Sequence, residues 1–256
     1  WYAPNNATLV IAGDVKAEEV FKLAQRYYGG IPNRRLALQR NFTEPTQLGI
    51  KRVVVKAPAE LPQLVMGYHT PTLKTPGKEW KPYALEMLAG VLDGNESARL
   101  NKHLVREQKI ASSAGAGYDS TARGPSLFIL EATPSEGKTA EDVEAALRQE
   151  IAQLLKEGVS EEELKRVKAQ VMASEVYKRD SVFYQAMQIG QLESIGLGHQ
   201  AIPVMLAKLQ AVTADQVLEV AREFLQDDNL TVATLDPQPL SGKPKHQSKG
   251  GSSHVR

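Results

Sequence analysis

The sequence predicts an α+β fold, on three observations. Short β-branched runs such as RVVVK (Arg52 to Lys56) alternate with longer stretches whose apolar residues recur at helical spacing. Ser160 and Thr213 stand three residues before Glu163 and Gln216, the pattern of a capping box at a helix start. The third observation is a repeat: residues 5–14 read NNATLVIAGD and residues 228–237 read DNLTVATLDP. Each is a β-branched run introduced by Asn, with Thr at the same offset and an acidic turn at its end. A helical pattern follows the first run, whereas one precedes the last. A chain that opens on the closing element of one unit and then holds a whole similar unit is expected to be the second half of a duplicated protein. Trp1 in place of an initiating Met agrees with a cut piece.

The elements follow in order. Ala7 to Ala12 reads as a strand and Ala17 to Tyr28 as an amphipathic helix. Residues 30–47 hold two prolines, scattered charge and no period, which marks a linker. Arg52 to Lys56 and Gln63 to His69 read as strands around the turn-like AELP. Trp80 to Leu92 and Glu96 to Gln108 are helical, with Trp80 and Tyr83 as packing residues. Ala111 to Tyr118 and Ser126 to Ala132 are strands joined through DSTARGP. Ala140 to Lys156 is a helix stopped by Gly158. The helix opened by Ser160 runs toward Ser194 with a break expected near Arg179-Asp180-Ser181. Thr213 opens the last helix, and Leu230 to Leu235 is the last strand. The tail from Gln238 is rich in Gly, Ser, Lys and Pro and is expected to be disordered, since it has little apolar surface to set against the entropy of ordering.

Composition excludes several functions. The chain has 256 residues and a formal net charge of +1, so charge gives no reason to expect a nucleic-acid or acidic-lipid partner. Zero cysteines exclude disulfides, thiol catalysis and thiolate metal sites together. No apolar run has the length of a membrane span.

Candidate chemistry is sparse. The five histidines are His69, His103, His199, His246 and His254, and none has a second histidine one turn away within folded sequence. His69 ends a strand and His199 sits in the turn GLGHQ. His103 and Glu107 are spaced i, i+4 and could share a metal, but two ligands without a third define a surface pair better than a site. Ser112 and Ser113 lie near Lys109 without a GxSxG or SxxK motif to activate either. The small residues of ASSAGAG (111–117) allow another backbone to approach a strand closely. Glu161 to Glu163 favour a helix start through its dipole.

The order of these segments resembles the M16 family of zinc metallopeptidases, the group of pitrilysin, insulin-degrading enzyme and mitochondrial processing peptidase. YAPNNATLVIAGDVKAEEVFKLAQRYYGGIP is similar to the closing strand and helix of that family's preceding domain. LPQLVMGYHTP, LAGVLDGNESARLNKHLVREQKIA and LKEGVSEEELKRVKAQV are similar to the following domain. The resemblance implies a mainly antiparallel sheet with helices packed on one face. It implies residues 1–30 as a remnant of the preceding domain, 31–47 as a linker, 48–237 as the C-terminal inactive domain and 238–256 as the tail.

The resemblance also implies a division of labour. The family's catalytic half carries His-x-x-Glu-His, and no histidine here has Glu and His at the third and fourth following positions. No catalytic residue, metal or other cofactor is therefore expected in this chain, and zinc is expected in a catalytic half. The expected partners are that half, or a catalytic subunit, and a peptide substrate. In the family an arginine of the VRE-type segment and a tyrosine seven residues later contact substrate. The arginine matches Arg106; Ser113 stands at the tyrosine's place. Either Tyr118, on the same strand, replaces it or this branch has lost the pair. Arg106 could instead pair with acidic neighbours or cap the end of its helix, and Arg99 is read as structural. Two functions follow: the substrate-enclosing half of a zinc endopeptidase acting on peptides or small proteins, or a scaffold homologue that cleaves nothing. A periplasmic setting suits the resemblance.

Overall fold

The computed structural model describes residues 2–36, 44–75 and 79–240. Five strands form one sheet: β1 (Lys51–Pro58), β2 (Gln63–Thr70), β3 (Ala111–Gly117), β4 (Ser126–Pro134) and β5 (Leu230–Gln238). Their spatial order is β1-β5-β2-β4-β3. Every pair is antiparallel except β1 with β5. The turn-like AELP does not close a hairpin, because β5 lies between β1 and β2. DSTARGP does join two neighbours, β3 and β4.

Period-two alternation sets which face is buried. Leu64, Met66 and Tyr68 of β2 stand opposite Ala132, Leu130 and Phe128 of β4. Met66 and Tyr68 also stand opposite Val232 and Leu230 of β5. All eight side chains are buried. The alternate residues Leu127 and Glu131 point to the open face. Full burial of each large apolar side chain contributes about 1.5–3 kcal/mol.

The helices of this unit are α2 (Lys81–Asp93), α3 (Ala140–Glu157), α4 (Glu161–Arg179), α5 (Val182–Ile195), α6 (Ala201–Ala211) and α7 (Ala214–Phe224). Helices α2, α3 and α7 lie against the buried face, α4 and α6 pack on α2, and α5 packs on α4. Leu85 and Leu88 of α2, Val143 and Leu147 of α3, and Val217 and Val220 of α7 join the same core. Both expected capping boxes are present, at Ser160/Glu163 and Thr213/Gln216, with a third at Thr139/Asp142. The expected break falls at Asp180 and Ser181, and the Ser181 hydroxyl accepts the Tyr184 N–H to start α5.

Three features depart from the sequence reading. Ala7 to Ala12 forms no strand, because none of the described residues offers it a ladder partner. Helix α6 follows the GLGHQ turn, in a stretch to which the sequence reading assigned no element. The segment expected to be helical from Glu96 begins as turns, and Asn101–Glu107 is a π-helix.

The first helix, α1 (Ala17–Tyr28), buries none of its residues. The Asn5 side chain bonds the Arg34 backbone at both its N–H and its carbonyl. The residues 37–43 of the expected linker and the tail 241–256 lie outside the described residues.

Candidate functional site

Arg106 lies in the last turn of the π-helix. It is exposed, and its guanidinium has no hydrogen-bond or ion-pair partner among the described residues. The π-helix beneath it is held firmly. Leu104 is fully buried. His103 turns inward, its Nδ1 lying 2.6 Å from Glu150 Oε2 on α3. This overturns the expected His103–Glu107 surface pair: Glu150 is buried at 3% exposure, whereas Glu107 faces solvent.

Two further ties fix the approach to this helix. Arg99 donates to Glu163 on α4 and to the Gly158 carbonyl. Asp93, at the end of α2, accepts from Asn101 Nδ2 at 2.8 Å and from the Ala116 N–H on β3 at 3.2 Å. Burial pushes the Asp93 carboxyl up, against those two hydrogen bonds. At Gly115 the close neighbours of β3 are side chains and not the backbone expected from the sequence. A Cβ on Gly115 would stand 3.2 Å from Asp93 Oδ2. Lys109 then reverses the chain into β3 in the left-handed region, at φ 53°.

Ser112 and Ser113 are exposed beside this turn, where the β3–β4 register shifts at a bulge. The Ser112 hydroxyl donates to the Thr133 carbonyl at 3.2 Å. Tyr118 lies past the far end of β3, and seven strand residues span roughly 23 Å. Its hydroxyl donates to the Pro71 carbonyl and its ring stacks on Phe128, with centroids 6.4 Å apart. Burial pushes its phenol up, and the carboxylates of Glu86 and Asp119 add to that. Ser112 and Ser113 thus stand at the end of β3 that follows the π-helix, and Tyr118 lies past the other end.

Among the described residues no three His, Asp or Glu side chains converge on one point. Helix α2 carries Glu86, but Tyr83 and Met87 stand where His-x-x-Glu-His places its histidines, and both are buried in the core.

Comparison with known proteins decides the family. The model of the peptidase M16 inactive domain matches residues 1–171. The chain belongs to the peptidase M16 inactive-domain family. This M16 domain is 27% identical to the zinc protease PqqE of Helicobacter pylori, over 93% of its own length and 53% of that protein. It spans about half the length of the relatives it matches. Its fold is that of a protease from Helicobacter pylori, with a TM-score of 0.80 and 22% identity over 88% of this chain and 54% of that one. The first half of the periplasmic protease PqqL from Escherichia coli has the same fold, with a TM-score of 0.72 and 14% identity over 87% of this chain and 49% of that one. No helix among the described residues is long and apolar enough to cross a membrane.

Proposed function

We propose that this M16 inactive domain is the substrate-enclosing wall of a two-part zinc endopeptidase acting on peptides or small proteins, with Arg106 as its contact to substrate. One observation carries this reading. Arg106 is an exposed cation left without a partner among the described residues, on a helix whose other face is tied down by His103, Leu104 and Asp93. A positioned guanidinium holds a peptide carbonyl or carboxylate through charge-assisted hydrogen bonds. The π-helix supports the same reading, since such turns recur at functional sites. A catalytic half, carrying zinc, is the partner this role requires. The bulged edge of β3, with Ser112 and Ser113, lies at hand for the substrate backbone. Tyr118 belongs to the scaffold of the fold in this reading. A periplasmic location is part of the proposal.

The test is Arg106→Ala in the intact two-part protein. Peptide turnover should fall roughly ten- to a hundredfold in kcat/KM, the worth of one charged hydrogen bond, about 1.5–3 kcal/mol. Zinc content and melting temperature should stay at the wild-type values. Unchanged hydrolysis would leave Arg106 a surface residue and favour the scaffold role.

A further inference from the structure

Helices α2, α4, α5 and α6 line a half-open pocket of about 430 Å³ that the reading above does not use. Its volume falls in the range of small-ligand sites, about 300–1,000 Å³. Most of its wall is apolar: Val167 and Val171 of α4, Ile202 and Met205 of α6. Polar groups gather at one end. Lys178 Nζ donates to Glu175 Oε1 at 2.8 Å and lies 5.1 Å from the Tyr184 ring centroid, so these two charges cancel. Glu86 is only partly offset: Lys178 attracts its charge, whereas Asp119 and Glu175 repel it. One of its oxygens accepts the hydroxyl of buried Ser120. Its Oε2 makes no hydrogen bond among the described residues, and Glu86 lines the pocket. An apolar chamber therefore ends in one spare carboxylate oxygen. Burial pushes the Glu86 carboxyl up, against the Ser120 hydrogen bond, so an unpaired charge there is costly.

We propose that this pocket binds the side chain of a lysine or arginine presented by a peptide, its alkyl stem against Val171 and Met205 and its cationic head on Glu86. Charge complementarity selects the cation, and the apolar walls select the stem. The peptide source follows from the surroundings. A shallow groove shares Gln170, Ser174 and Lys178 with the pocket and displays Tyr177 and Phe183, which are 74% and 77% exposed. Exposed aromatics beside a side-chain pocket suit a peptide backbone and its neighbouring residues. The proposal rests on the peptide-handling reading for this source alone. It is measured by binding to the chain itself, whereas Arg106 is tested by turnover, so the two can fail separately.

The experiment is calorimetric titration of the chain with acetyl-Ala-Lys-Ala-amide, its norleucine counterpart and n-butylamine. The lysine peptide should bind, and the norleucine peptide should bind at least about tenfold more weakly, the worth of one charged contact. Glu86→Gln should produce a similar loss for the lysine peptide alone. Ile202→Trp, which fills the pocket and leaves Glu86 in place, should abolish binding at an unchanged melting temperature. Equal affinity for the norleucine peptide, or full affinity in Glu86→Gln, would overturn the proposal. Binding of n-butylamine as tight as the peptide would overturn the peptide source.

Discussion

Arg99 and Glu163 join the approach to the π-helix to the start of α4 through two hydrogen bonds, 2.8 Å from Nε to Oε1 and 2.9 Å from Nη2 to Oε2. Glu163 also closes the capping box with Ser160. Burial opposes its charge, but Arg99 and the Ser160 N–H bring its carboxyl down to about 2. A depressed carboxylate contributes stability that is complete above its unfolded value and lost as pH falls through its folded value. The window here runs from the ordinary value of 4.5 down to about 2. Glu163→Gln should cost about 1.5–3 kcal/mol at neutral pH, and the difference should shrink below that upper limit. Urea unfolding of both proteins across this range checks it. A difference that stays constant with pH would mean the pair acts through packing alone.

Gly90 of α2 lies directly against Val167 of α4. A Cβ there would lie 2.5 Å from Val167 Cγ1, and a β-branched side chain cannot swing away. Gly90→Ala should destabilise by about 1–3 kcal/mol through overpacking. The second change Val167→Ala should recover part of that loss. Additive effects in the double-mutant cycle would contradict the contact.

Residues 1–45 should be dispensable for folding. None of α1 is buried, and the core begins at Leu64. The deleted chain should unfold in one cooperative transition in urea. A broad, non-cooperative transition would show that the segment belongs to the core. This prediction carries the domain division proposed from the sequence, with 48–237 as the folding unit.

Metal analysis after extensive dialysis should find no stoichiometric zinc in the chain. His103 is committed to Glu150, and no third ligand is near among the described residues. One tightly held zinc per chain would contradict this ligand reading.

Local signals carried most of the fold. Capping boxes, alternation and turn residues placed all five strands of the sheet, and the break at Ser181 was written in its own cap. What failed was long-range. Nothing in residues 7–12 says whether a partner strand exists, and nothing near AELP says that β5 will enter between its flanking strands. The π-helix was invisible because apolar spacing over seven residues does not separate it from an α-helix. At the candidate site, Arg106 was legible only through resemblance. The brace beneath it was not, since His103 and Glu150 are 47 residues apart and His103 had a nearer carboxylate in Glu107. Glu86 was passed over because a lone Glu on a core helix carries no pattern.

The two margins of the sheet are finished differently. Along β3, Asp93 already takes the Ala116 N–H. Along β1 every residue but Ala57 is exposed, and Val53, Val54 and Val55 face solvent at 47%, 64% and 47%. As an outer strand with three solvent-facing valines, β1 is the margin of the sheet most receptive to an added strand, and covering it would bury those valines.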